Sequence, residues 1–282
     1  GFGSGSSTAC MQSFLQGETC PFESAAIRLQ NELAARNADL PNRILAYENG
    51  TSEPIVQAFT ADLTNTRFVA VVQNLTLLVY GSTYRTFRAT TPPSFGDEHI
   101  LYDNGALVKD MLHIEGSDGK DYIVTLRYGT ALVYDVLFNA DMTDITLVQK
   151  KQFSDFMNTQ EWIAGNEKMI IGRSHSQKVK VILTDLTDPN PPGADRTFDA
   201  GTAVSHAVPY SDTIALVLTN SDIRMVDCTR SNPEEIESNR FVFPISGNGR
   251  SLFRLDEHRF LVQFAETKAC VVDYSLNSPK MV

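Results

Sequence analysis

Residues 179–191 read Val179-Lys180-Val181-Ile182-Leu183-Thr184-Asp185-Leu186-Thr187-Asp188-Pro189-Asn190-Pro191. A short, almost wholly apolar run stops at an aspartate, and a turn rich in Thr, Asp, Asn and Pro follows. The run is too short for a stable helix, and its lack of polar alternation marks a strand covered on both faces. Asp and Pro at these places set a turn, Asp by bonding nearby backbone N–H groups and Pro by fixing φ. The pattern recurs as Ile223-Arg224-Met225-Val226-Asp227-Cys228-Thr229-Arg230-Ser231-Asn232-Pro233. Looser copies are Ala131-Leu132-Val133-Tyr134-Asp135, Cys270-Val271-Val272-Asp273 and Leu77-Leu78-Val79-Tyr80-Gly81. The aspartates at 135, 185, 227 and 273 are 50, 42 and 46 residues apart.

A second apolar run and a turn precede each of these: Arg67-Phe68-Val69-Ala70-Val71, Asp121-Tyr122-Ile123-Val124-Thr125, Lys168-Met169-Ile170-Ile171, Asp212-Thr213-Ile214-Ala215-Leu216 and Arg259-Phe260-Leu261-Val262. A more polar strand often follows, as at 145–149 and 240–243, and another leads in, as at 107–114 and 252–255. Four strands in about 46 residues is the size of one β-propeller blade. One blade cannot bury both of its faces, so blades stack around an axis, which leaves the middle strands apolar and the outer strand half wet. The predicted fold is all-β: a β-propeller of about five four-stranded blades over residues 43–282, preceded by an arm and one α-helix within residues 1–42.

The units ending at Asp185 and Asp227 resemble the LVIVD-type propeller repeat, in which an apolar strand ends in Asp and a Ser/Thr-Asp/Asn-Pro turn follows. Tyr134-Asp135 lacks the Pro turn and Tyr80-Gly81 lacks the Asp. WD-repeat propellers are the neighbouring class, but the sole tryptophan, Trp162, does not precede one of these aspartates. The resemblance implies a non-enzymatic module of a secreted or surface protein.

The N-terminal segment opens with a Gly/Ser-rich arm, Gly1-Phe2-Gly3-Ser4-Gly5-Ser6-Ser7, whose composition predicts flexibility. Ile27, Leu29, Leu33 and the alanines at 25, 26, 34 and 35 recur at helical spacing until Pro41 ends the pattern. Arg43-Ile44-Leu45-Ala46-Tyr47-Glu48 is a further strand, predicted to complete the last blade and close the ring. The alternative is a piece of a propeller with six to eight blades. Cys10 and Cys20 bracket a polar loop and are a candidate disulfide, with two free thiols as the alternative. Cys228 and Cys270 read as separate buried residues. Asn49-Gly50-Thr51 and Asn74-Leu75-Thr76 are intact sequons, so Asn49 and Asn74 are candidate glycan attachment points.

The chain has 24 Lys+Arg against 34 Asp+Glu, a net charge of −10. That balance disfavours nucleic acid and anionic lipid as partners, since both need a basic surface. No apolar run approaches the roughly 20 residues of a membrane span. No Gly-x-Ser-x-Gly elbow, phosphate loop or dinucleotide fingerprint occurs. No two of the five histidines fall within five residues, so no helical or hairpin metal pair exists. Asp118-Gly119-Lys120-Asp121 and Asp185 with Asp188 read as turns, too poor in oxygen ligands for a calcium loop. No catalytic, cofactor-binding or metal-ligating residue is therefore assigned. His113 and His206 lie on innermost-type strands and are the candidate channel-pocket residues. The functional expectation is a non-catalytic extracellular or surface module, binding another protein or itself. An intracellular scaffold and a five-bladed carbohydrate-active enzyme with two facing carboxylates are the alternatives.

Overall fold

The computed structural model describes residues 66–282, apart from 74, 89–93, 103–106, 158–161, 245–247, 265–267 and 277. The arm, the predicted helix, Cys10, Cys20, the strand at 43–48 and both sequon asparagines, Asn49 and Asn74, lie outside the described residues.

Five antiparallel sheets follow one another along the chain, each a consecutive meander. Blade 1 holds β1 (Thr66–Val72), β2 (Leu75–Tyr80) and β3 (Thr83–Arg88), with two short strands, β4 (Ser94–Phe95) and β5 (His99–Ile100), both paired to β3. Blade 2 is β6 (Asp110–Glu115), β7 (Asp121–Arg127), β8 (Thr130–Phe138) and β9 (Ile145–Phe153). Blade 3 is β10 (Ile163–Asn166), β11 (Met169–His175), β12 (Lys178–Leu183) and β13 (Ala194–Asp199). Blade 4 is β14 (Val204–Pro209), β15 (Ile214–Thr219) and β16 (Asp222–Asp227), with β17 (Glu234–Glu235) and β18 (Phe241–Val242) both paired to β16. Blade 5 is β19 (Gly249–Arg254), β20 (Arg259–Phe264), β21 (Ala269–Asp273) and β22 (Lys280–Met281). One 3-10 turn, Glu237–Asn239, is the only helical element among the described residues, so none of them forms a helix long and apolar enough to cross a membrane.

The predicted burial gradient is present. All residues of β7 but the last are buried, as are all of β15 but the first. The outer strands β9 and β13 instead alternate with solvent. Because side chains on a strand point alternately to its two faces, a strand covered on both sides divides its residues between two neighbours. In β7, Ile123 packs with Leu77 and Val79 of blade 1, while Val124 packs with Ile170 and Ile182 of blade 3. In β11, Ile171 turns the other way, into a cluster with Ala215, Val217 and the buried, free Cys228 of blade 4. Leu216 and Leu218 of β15 join Phe260 and Val262 of blade 5.

The aspartates that end the third strands hold the turns that follow. Asp185 Oδ1 accepts from the backbone N–H of Thr187 at 3.1 Å and its hydroxyl at 2.6 Å. Asp227 accepts from Thr229 N–H at 2.9 Å and Asp273 from Ser275 N–H at 2.7 Å. The Lys168 ammonium, 2.8 Å away, and the Thr187 hydroxyl bring the Asp185 carboxyl down to about 2. Asp135 instead receives the Lys150 ammonium at 3.1 Å. Asp135 is also the copy that lacks the Pro turn.

Two sequence expectations change. In blade 1 the run 67–71 is the innermost strand of its sheet among the described residues, one place inward of the position expected by analogy with 121–125. The displaced element is β3, Thr-Tyr-Arg-Thr-Phe-Arg, whose alternation hides it from a search for continuous apolarity. It pairs with two short strands just as β16 does in blade 4, and Gly81, at φ +63°, makes the turn into it. In blade 5 the outer strand is β22, through Val272 opposite Met281, so the described blade does not lack one; the segment 43–48 lies outside the described residues. Two residues are too few to register as a strand in sequence.

Ile170 is fully buried between blades 2 and 3. Ile170→Ala is expected to lower the unfolding free energy by about 2–5 kcal/mol, from lost burial plus the residual cavity. The exposed Gln149→Ala on β9 should change it by less than about 0.5 kcal/mol. Urea titrations of the two variants against the parent chain check both values.

Candidate functional site

The innermost strands β10, β14 and β19 belong to three successive blades and begin at the same end of the unit. There they enclose a cavity of about 370 Å³ lined by Trp162, Arg173, Ser205, Asn220, Asn248, Gly249 and Arg250. Trp162 immediately precedes β10, Ser205 lies near the start of β14, and Asn248, Gly249 and Arg250 open β19. Arg173 comes from the end of β11 and Asn220 from the turn between β15 and β16. A meander explains this gathering: the second strand ends, and the third begins, where the innermost strand starts.

Polar contacts, most of them half-buried, fix the walls. Asp110, at the start of β6 in blade 2, accepts from the Ile163 N–H at 2.7 Å and from the Met111 N–H at 2.9 Å. It thereby holds the backbone next to Trp162, although burial pushes its carboxyl above the ordinary range. The Arg173 guanidinium donates through Nη2 to the Val204 carbonyl, tying blade 3 to blade 4, and burial lowers its pKa. Ser205 Oγ donates to Asn220 Oδ1 at 3.3 Å, which leaves the Asn220 amide N–H groups as donors. Glycine is required at 249: a Cβ there would sit 2.7 Å from Leu218 Cδ1 and 2.9 Å from the Thr219 carbonyl oxygen.

His206, one of the two histidines expected at a channel pocket, stands behind this wall. Its ring lies 4.8 Å from that of Trp162 and 6.4 Å from that of Phe253. Its Nδ1 accepts from the Leu252 N–H at 3.2 Å, linking β14 to β19. Burial, then the nearby Arg173 charge, brings the imidazole down to about 4, so it is neutral. His113 is on β6 in blade 2 and is not brought to the cavity. Its Nε2 lies 2.7 Å from Asp121 Oδ1, while Gln73 Nε2 donates to Asp121 Oδ2 at 3.2 Å. His113, Glu115 and Asp121 place one ligand-type atom each within 4.8 Å of one another. Both Asp121 oxygens are already engaged inside the fold, so a metal there would have to displace those bonds.

Among the described residues the lining offers guanidinium, amide, hydroxyl and indole groups and no carboxylate. The described lining residues therefore include no acid pair of the kind that glycoside hydrolysis needs. Among the described residues Ser205 has no base beside its hydroxyl, since its bond goes to Asn220 and the neighbouring His206 is committed to Leu252. The site can hold a ligand by charge, hydrogen bonds and ring contact. Trp162, Arg173, Asn220, Asn248 and Arg250 were not singled out from the sequence as site residues. Their one shared signal is position, at the ends of strands that only the blade register brings together.

No protein-family model matches the chain, and no curated protein matches its sequence. Solved structures do share the architecture. Kluyveromyces lactis Hsv2 is similar with a TM-score of 0.54 and 10% identity, over 84% of this chain and 77% of that one. Saccharomyces cerevisiae Sqt1 gives 0.55 and 11%, over 86% of this chain and 65% of that one. A Lactobacillus plantarum protein gives 0.55 and 14%, over 80% and 72%. Hsv2 and Sqt1 are propeller proteins, and at these identities the likeness is one of fold.

The unfolded His206 imidazole titrates near 6.5 and the folded one near 4. The unfolded state therefore binds the proton first, and this group's contribution to stability, full above pH 6.5, is lost as pH falls toward 4. His206→Asn retains an acceptor for the Leu252 N–H but does not titrate. The stability of the parent chain minus that of the variant should fall by on the order of 3 kcal/mol between pH 7 and pH 4. Urea midpoints of the two proteins across that range measure it.

Proposed function

We propose that the chain is a non-catalytic β-propeller module that binds another protein at the end where the innermost strands of blades 3, 4 and 5 begin. The observation that carries this reading is the cavity itself: a site whose described lining residues supply two arginines, two amides and an indole, and among them no acid, base or activated nucleophile. Indole and guanidinium are the groups that most often anchor protein contacts, because each presents a large rigid surface with a polar part. Asp turns in blades 3, 4 and 5 support an LVIVD-type repeat. Extracellular or cell-surface placement is supported by the Cys10/Cys20 spacing and by the sequons at Asn49 and Asn74.

A photo-crosslinking amino acid at position 250 should capture one protein that the same group at the exposed Arg230 on the rim does not. Arg250→Glu should weaken binding of that protein by about tenfold or more. Equal capture at both positions would overturn the assignment of the site, and capture of a second copy of this chain would make the interface a self-assembly one. Steady turnover of chromogenic glycosides, lost in Arg250→Glu, would overturn the non-catalytic reading. In protein from its native source, mass spectrometry is expected to find a Cys10–Cys20 bridge and glycan on Asn49 or Asn74. Four free thiols and no glycan would remove the extracellular placement.

A further inference from the structure

The hairpin joining β6 to β7 gathers three ligand-type side chains at the end where the innermost strands finish. His113 and Glu115 are two apart on β6 and so share a face, and Asp121 on β7 is the register partner of Glu115. Asp121 is also two residues from Ile123, which packs on blade 1, so all three belong to the face toward blade 1. One nitrogen of His113 and one oxygen each of Glu115 and Asp121 lie within 4.8 Å of one another. The turn that holds them is tightly bonded. The Gly116 N–H donates to the Lys120 carbonyl at 2.7 Å and the Gly119 N–H to the Gly116 carbonyl at 3.0 Å. Asp118 accepts from the Lys120 N–H at 3.1 Å and from the Tyr122 hydroxyl at 2.9 Å. Asp121 is buried and bonded by His113 and by Gln73, from the turn after β1. Glu115 is exposed and makes no ion pair or hydrogen bond to any described residue, although its carboxylate stands close to that of Asp121 and like charges repel.

We infer that His113, Glu115 and Asp121 bind one divalent ion, zinc or a neighbouring first-row metal, with water completing its shell. An imidazole nitrogen with two carboxylate oxygens is a ligand set these metals accept, while magnesium and calcium prefer oxygen alone. The charges match as well, since two carboxylates and a neutral imidazole cancel a dication. In a tetrahedral shell with bonds of about 2.0 Å, ligand atoms stand about 3.3 Å apart. His113 and Asp121, now 2.7 Å apart, need to separate only slightly, and the unbonded Glu115 is free to swing in. Binding displaces the bonds that Asp121 makes. The His113 contact is replaced by two metal bonds, and the neutral ring keeps its proton by carrying it on the other nitrogen. The Gln73 amide then bonds the ligating carboxylate from outside, the place from which outer-shell groups orient a ligand. Exposure of Glu115 gives the ion a path in. This site is separate from the Trp162 cavity and does not depend on its role. It is hidden in the sequence because only the hairpin register sets Asp121 beside His113 and Glu115.

Zinc titrated calorimetrically into the tag-free, chelator-stripped full chain is expected to bind at this site with a stoichiometry of one. Cobalt in its place should give the visible absorption of a tetrahedral nitrogen and oxygen shell, without the thiolate charge-transfer band that a site at Cys10 and Cys20 would show. Glu115→Gln, at an exposed position, should weaken zinc by at least about tenfold while circular dichroism stays unchanged, and His113→Gln should do the same. Zinc should also raise the melting temperature of the parent chain saturably, and that of Glu115→Gln less at equal concentration. Undiminished zinc affinity in both variants would overturn the assignment, as would a cobalt spectrum carried wholly by thiolate. Magnesium or calcium bound as tightly as zinc would rule out the transition-metal class. If zinc, cobalt and manganese all fail to bind at millimolar concentration, the site does not exist and the three side chains are a hydrogen-bonded contact of the fold.

Discussion

The fold depends on a division of labour within single strands. A sheet covered on both sides must send consecutive side chains to different neighbours, and in the middle strands most of those side chains are apolar, with Thr125, Lys180 and Thr219 among the buried exceptions. Ile170 serves the contact with blade 2 and Ile171 the contact with blade 4. Neither blade boundary can be loosened without exposing the opposite face of the same backbone. This is why the apolar content is spread over many short runs and why the buried clusters join blades in series, 1 to 2, 2 to 3, 3 to 4 and 4 to 5. A register slip of one residue would exchange the two faces of a blade. The Asp turns at the ends of the third strands and the tight glycine turns work against such slips, since they fix where each strand starts.

The cavity inherits its rigidity from this arrangement. Its lining residues sit at strand ends, where polar side chains are tolerated, but they are positioned by contacts that cross from one blade to the next. Asp110 of blade 2 sets the backbone beside Trp162, Arg173 of blade 3 reaches Val204 of blade 4, and His206 of blade 4 takes the Leu252 N–H of blade 5. These are polar bonds made at the edges of an apolar stack. Being partly shielded from water, they would be costly to break, because each would leave an unpaired polar group. A neutral imidazole suits its place: it accepts one backbone N–H and adds no charge behind the two arginines.

The fold was legible in the sequence because continuous apolarity in Ile-Ala-Leu-Val-Leu or Tyr-Ile-Val-Thr-Leu is forced by burial on two sides, and that signal is local. Elements with one wet face were less legible. Thr83–Arg88 alternates and carries two arginines, and Lys280–Met281 is only two residues long, so both escaped. The cavity was largely illegible for a different reason. Trp162, Ser205 and Arg250 are more than 40 residues apart from one another, and each is an ordinary residue for a strand end. They become a site only through the repeat register, which a single chain read linearly does not supply. His206 was found because an innermost strand was identified. His113, picked on the same ground, lies at a different blade boundary.

Cys228 has a consequence of another kind. Its side chain is fully buried in the cluster between blades 3 and 4, its Sγ lies 3.7 Å from the Val226 carbonyl oxygen, and burial pushes its thiol up to about 12. A thiol in that state has almost no thiolate and no access for a reagent, so it is chemically silent while the two blades are in contact. It reacts only during the intervals when they part. The chain therefore carries a built-in clock for blade separation, and its rate of alkylation measures how often this boundary opens in the native protein.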